Sequence, residues 1–412
     1  MRWRSTLCSV RASAAGSEPV RGAIALVNEL GCRVISIDLP SGMLSEYGNA
    51  GREIVYADVT LTLEFPKLAL LLPEAGEAAG EIVILPIELD ENYKRQARSP
   101  YYYADGRYVS ELVLPRSRFA HKGTYGHALL VCGSQGMMGA AVLATGAALR
   151  SGCGLVTAHV PAEERFVLHT SCPSALVSGD PMSVFSRLPD DMTKYAAVGI
   201  GSGVGRHDLS VRAFEALLSC GMPMVIDADA LNTLSFMTDG LSLVDRARGP
   251  VILTPHLKEF ERLSGVTCAE SQANPIDHAQ AFARDHHVIL LLKGTATVVT
   301  DGQETYLINR GSGGMATAGS GDVLSGILAG VLGYCPPTAK TVAMGAWIAG
   351  RAGEIAATCS NPISMISSDT VRCIPQAVTE ILSAASEPLV SDQAAGGHIF
   401  SQEVDTDEND KT

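Results

Sequence analysis

The chain is poor in several things at once. Aromatic residues make up only 5 % of its 412 positions, with two tryptophans, so stacking platforms for single-stranded nucleic acid are not expected. Lys and Arg number 31 against 44 Asp and Glu, a formal net charge of −13, and this excludes the basic face that phosphate backbones require. No apolar run approaches the ~20 residues needed to cross a bilayer. The ten cysteines never form a CxxC pair, which removes zinc ribbons and dithiol redox motifs and leaves reduced core thiols. No GxxxxGK[ST] or GxSxG occurs, so Walker-type nucleotide hydrolysis and the serine-hydrolase elbow are disfavoured.

What is abundant is apolar residues, 46 %, and glycine, 41 residues. That composition builds cores and tight turns, and the length suggests two or three domains. The first residues, MRWRSTLCSVRASAAG, carry three Arg and no acid. Their composition is that of a transit-type leader, but no secretory apolar stretch follows, and residues 1–21 are set aside as a leader of unknown role. From Gly22 the pattern predicts a helix ending near Gly31, then strands at Arg33–Leu39, Val59–Glu64 and Glu81–Leu89, the second half of an α/β unit. Residues 90–118 are polar and read as a linker and lead-in to the main domain. From His127 short apolar strands alternate with helices through Thr358, which predicts a mostly parallel sheet covered on both faces. The tail 387–412 is acidic and is expected to be solvated.

Chemistry-bearing residues recur just after the predicted strands, where open α/β sheets bind ligands. In GSGGMATAGSGD, residues 311–322, a glycine-rich turn opens into an apolar helix, and its amides suit a phosphoryl group. Asp322 in the first turn is either an N-cap or a base that takes a proton from an attacking hydroxyl. Lys293-Gly294-Thr295-Ala296-Thr297 follows the strand VILLL and offers charge and hydroxyl to phosphates. TPHLKEF places His256 and Glu259 one turn apart at a helix start, without the second His of a zinc motif. AHKGTYG, GIGSGVG and DADALN complete the set. The last is a strand-end acidic cluster, Asp227 and Asp229, able to meet magnesium through water or simply to cap.

Taken together and in order, AHKGTYG, GIGSGVG, VIDADALN, TPHLKEF, LLKGTAT and GGMATAGSGDVLSGI resemble the ADP-dependent NAD(P)H-hydrate dehydratases over about residues 110–375. The resemblance implies a ribokinase-like α/β fold, placed at residues 99–386, and repair of the S form of hydrated NADH and NADPH. ADP would phosphorylate the ring hydroxyl, releasing AMP, and phosphate would then leave, with magnesium as cofactor. By the same likeness Lys293, Gly294, Thr295, Ala296, Thr297 and Gly321 hold the adenine nucleotide. Ala120, Gly203, His256 and Asp322 contact the hydrated dinucleotide, and Asp322 is the base. The segment VISIDLPSGM with ADVTLTLEFPK and GEIVILPIEL resembles the C-terminal half of NAD(P)H-hydrate epimerase, placed at residues 22–98 as an incomplete Rossmann-like unit. Asp38 would contact substrate and Ser41 would bind K⁺ there. The epimerase's phosphate-loop half is missing from the sequence, so this unit is expected to have lost isomerase activity. A cytoplasmic homo-oligomer, without nucleic acid or membrane partners, completes the expectation. Two other readings stay open: a ribokinase-like kinase of a small hydroxylated metabolite, and a non-catalytic dinucleotide-binding scaffold.

Overall fold

A computed structural model describes residues 18–96, 99–113 and 116–386. The leader expected over residues 1–21 falls almost wholly outside these, and the acidic tail entirely so. The front unit opens with the helix Glu18–Glu29 and carries three parallel strands, β1 (Ile35–Ile37), β2 (Val59–Leu63) and β3 (Glu81–Leu85), in the order 1-2-3. Its β1 is an edge strand, with Ile35 49 % and Ile37 62 % exposed. Leu71 and Leu72 are buried within the apolar core of the main body, where Tyr47, Leu68 and Ile82 also pack, so the front unit docks onto it.

The main body is built on ten strands: β4 (Tyr101–Tyr103), β5 (His127–Val131), β6 (Leu155–Pro161), β7 (Leu176–Asp180), β8 (Ala197–Ile200), β9 (Met224–Ile226), β10 (Val251–Leu253), β11 (Ile289–Leu292), β12 (Thr297–Thr300) and β13 (Thr305–Ile308). Their order is 4-13-12-11-10-9-8-5-6-7, and all neighbours are parallel except the two pairs that involve β12. The expected linker over residues 90–118 is corrected here. Tyr101–Tyr103 is the edge strand beside β13, and it was illegible because three successive tyrosines show no alternation. Tyr102 stacks on Tyr306 with ring centroids 5.1 Å apart, and that cross-strand contact fixes the edge.

Alternate residues of the central strands enter two different cores. Ile226, Leu253, Leu290 and Leu292 face one layer of helices, while Val225, Ile252 and Leu291 face the other. Both faces are covered, which is why these strands read as unbroken apolar runs. The helix Ser320–Leu332 lies in the second layer and is buried almost all round from Val323 onward. It can lie flat on the helix Met138–Arg150 because Gly326 has no Cβ: one would sit 2.2 Å from the Ala144 carbonyl oxygen. That close packing aims its N-terminus at the carboxyl edge of β8 and β9.

Candidate active site

Because β8 to β11 are parallel neighbours, their carboxyl ends share one edge. After β8 the chain turns at Gly201, whose φ is +133°. A Cβ there would stand 1.7 Å from the Asp227 carbonyl oxygen, so only glycine lets these two strand ends approach. Asp227 occupies the N-cap position of the helix Ala228–Phe236 but does not cap it. Its buried carboxylate instead accepts a hydrogen bond from Lys293 Nζ at 2.9 Å. Lys293 follows β11 and pairs its backbone with His256 after β10. Its ammonium also lies 3.7 Å from Glu259. Burial works to lower the Lys293 pKa, but the Asp227 and Glu259 carboxylates outweigh it and raise the value. The lysine is a fixed cation, 23 % exposed, with room to meet an anion from the cleft.

His256 is the N-cap of the helix Leu257–Ser264. Its Nδ1 accepts from the amides of Lys258 and Glu259, and Glu259 accepts from the His256 N–H at 2.9 Å. The imidazole is half exposed toward the cleft. Burial lowers its pKa, with Lys293 adding to the effect and Glu259 opposing it, so the ring is neutral near pH 7.

Opposite these, the glycine run 311–319 ends at Gly319, φ +93°, the true N-cap of the helix Ser320–Leu332. The N-cap reading of Asp322 is thereby corrected: it stands at the third helical position and its side chain is free for the cleft. The first-turn amides of Gly321 and Asp322 have no intrahelical acceptor. A Cβ on Gly321 would lie 3.4 Å from Asp227 Oδ2 and 3.8 Å from Lys293 Nζ, so the helix start and the lysine share one cleft. Burial raises the Asp322 pKa, and Asp227 and Asp229 raise it further, while Ser202 and Lys293 oppose. The buried Ser202 hydroxyl faces Asp322 without closing a hydrogen bond of full geometry. Asp229 is held by the Gly205 amide at 3.0 Å.

The other expected residues divide. Gly294 and Thr295 are exposed at the turn after Lys293, while Ala296 is buried and Thr297 begins β12. Gly203, φ +69°, lies against Met137 and Ala140, where a Cβ would meet the Ala140 methyl at 3.1 Å. Ala120 is not brought to the cleft. Its segment precedes the amino ends of β5 and β6: Gly154 donates to the Tyr125 carbonyl, and Gly126 abuts the carbonyl of Gly333 at the far end of the Asp322 helix. Thirteen residues of helix separate that end from the cleft by about 20 Å. Asp38 and Ser41 belong to the front unit, where Asp38 pairs with Lys67 and accepts from the Leu63 amide. Sequence reasoning missed Ser202 as a site residue, although it lies inside GIGSGVG, and did not assign Met137 and Ala140, at the start of the helix Met138–Arg150, a place beside Gly203. Among the described residues no group of three metal-binding side chains converges.

Sheet order, crossover helices and a cleft lined by a partly buried, ion-paired lysine and a glycine-run helix start define a ribokinase-like α/β protein. A ribokinase-like superfamily structure from Enterococcus faecalis shares the fold, with TM-score 0.57 and 22 % identity over 69 % of this chain and 98 % of that one. A family model described as NAD(P)H-hydrate dehydratase matches residues 128–376, and one described as YjeF-related protein N-terminus matches residues 7–69. The bifunctional NAD(P)H-hydrate repair enzyme of Moorella thermoacetica is 34 % identical over 363 residues, 85 % of this chain and 68 % of that protein. Its counterpart in Coxiella burnetii is 32 % identical over 85 % of this chain and 70 % of its own length. The ADP/ATP-dependent NAD(P)H-hydrate dehydratase of Bacillus subtilis, co-crystallised with ATP and magnesium, gives TM-score 0.61 at 27 % identity, covering 68 % of this chain and 98 % of that one. The chain belongs to the NAD(P)H-hydrate dehydratase family, the nicotinamide-nucleotide repair enzymes.

Proposed function

We propose that this chain restores the S form of hydrated NADH and NADPH at the expense of ADP, releasing AMP and phosphate. The observation that carries the reading is the shared cleft of Lys293, Gly321 and Asp322. Lys293 and the turn through Thr297 hold the nucleotide's phosphates, and the Gly321 and Asp322 amides stabilise charge on the group in transit. The raised pKa of Asp322 suits a base that takes the proton of the ring hydroxyl. The hydroxyl oxygen bonds to the terminal phosphorus of ADP as the bond to AMP breaks. The ring nitrogen's electron pair then expels phosphate, and loss of the neighbouring ring proton re-forms the double bond. Gly203 and His256 contact the dinucleotide. Phosphorylation turns a poor leaving group into a good one, so the protein need only orient and stabilise.

Magnesium fits this donor set as a companion of the nucleotide rather than as a caged ion, since no three ligands converge among the described residues. It would supply charge neutralisation on the phosphates, with Asp227 and Asp229 facing its water shell. For the front unit we infer no epimerisation by this chain, and hence no K⁺ role for Ser41. Among the described residues nothing covers Ile35 and Ile37 on β1, and none forms a second wall beside Asp38.

The deciding experiment supplies hydrated NADH with ADP or ATP and follows recovery of the reduced-ring absorbance. Recovery with ADP supports the reading. A stable phosphorylated product without recovery would sink it in favour of a kinase. Racemisation of the hydrate epimers at a rate matching dehydration would overturn the inference on the front unit.

A further inference from the structure

Beyond the ends of β6 and β7 lies a cavity of about 140 Å³ lined in part by Gln135, Glu163, Glu164, Met182 and Ser183. It is pre-formed. The buried Asp180 at the end of β7 accepts from His159 Nε2 at 3.2 Å, from Ser186 Oγ at 2.6 Å, and from the amides of Met182 at 2.9 Å and Ser186 at 2.7 Å. This network fixes the loop that carries Met182 and Ser183, and gives the buried His159 a positioning role. The opposite wall is the turn Ala162–Glu164, which Gly179 lets approach closely. The cavity also adjoins the cleft. The Gln135 amide donates to the Ser183 carbonyl at 2.9 Å, and Met137, two residues on, lies against Gly203. From the end of β8, where Ser202 faces Asp322, to the end of β6 is two strand spacings, about 10 Å.

We infer that this cavity receives the ribose of the adenosine half of the dinucleotide and that Glu163 and Glu164 select against a 2′-phosphate there, so that hydrated NADH is preferred over hydrated NADPH. The inference rests on the function proposed above. The carboxylates can accept hydrogen bonds from ribose hydroxyls, whereas a phosphate dianion at the same place meets two like charges. Neither Arg165 nor Arg187 lines the cavity. The Arg165 guanidinium donates to the Ala162 carbonyl at 2.9 Å and lies over the face of Phe166.

Two measurements on the full chain test this. One is the ratio of kcat/KM for the two hydrates. The other, which needs no turnover, is the affinity for NADH and NADPH by titration calorimetry at low and high salt. Expected are a preference for the non-phosphorylated form of roughly five- to tenfold at low salt, its shrinkage at high salt, and its loss in a Glu163→Gln/Glu164→Gln variant. Glu164→Lys should reverse it. Equal affinities in the unaltered chain, a preference the double variant retains, or failure to bind either dinucleotide would overturn the inference. Absence of repair together with selective NADH binding would overturn the proposed function and leave the pocket standing.

Discussion

Lys293 Nζ stands 2.9 Å from Asp227 Oδ1, joining the ends of two strands separated by a third. This contact closes one wall of the cleft and holds a cation beside the helix start at Gly321. Because Asp227 is buried, removing the lysine leaves a carboxylate in a poor environment. Lys293→Ala should therefore cost about 3 kcal/mol of stability as well as nucleotide binding. In Lys293→Ala/Asp227→Asn the stability should largely return while activity stays absent, a split that thermal unfolding and the repair assay read separately.

Asp322 carries a different balance. Burial holds its pKa above the ordinary carboxylate value, so the folded chain binds a proton more readily than the unfolded chain does. Stability from this group is present at low pH and falls as pH rises through the interval between its unfolded and folded values. Asp322→Asn should thus leave the melting temperature at neutral pH unchanged or higher, while kcat falls about 10²–10⁴-fold. In the unaltered chain kcat should decline on the acid side at a pH above that of a free aspartate. An Asn variant with full activity would remove Asp322 from the mechanism.

Gly321 tests the anion site without touching a charge. Gly321→Ala favours the helix and should hold or raise stability by up to about 1 kcal/mol. The new methyl would sit 3.4 Å from Asp227 Oδ2 and 3.8 Å from Lys293 Nζ, where phosphate must pass. The KM for ADP is expected to rise at least about tenfold. An unchanged KM would place the phosphates elsewhere.

His256 does two jobs that substitution can separate. His256→Ala should lose the helix cap, about 1 kcal/mol, whereas His256→Asn should keep it. Both should weaken the dinucleotide, seen as a higher KM. The ring's lowered pKa means that protonation opposes folding, so the cap's contribution is present at neutral pH and lost as pH falls through the usual histidine value toward the folded one. The Asn variant should not share that acid-side loss.

How much of this was legible beforehand depends on how local each signal is. The glycine run 311–321 is contiguous, and its turn-to-helix reading survives with only the N-cap moved from Asp322 to Gly319. Edge strand β4 was invisible because its cue is the stacking of Tyr102 on Tyr306, some two hundred positions away. Ala120 was placed at the dinucleotide by the family resemblance alone, while its neighbours Lys122 and Tyr125 pack at the amino end of the sheet.

Alternation of apolar strands and helices, the glycines that tight turns require, and the charge types after each strand follow from the chain alone, because backbone geometry and side-chain periodicity act over a few residues. Which strand ends become neighbours is different. Asp227 meets Lys293, Gly203 meets Ala140 and Glu259 joins the lysine only after the parallel order 11-10-9-8-5 is set, and that order is chosen by burial of two apolar faces across the whole sheet.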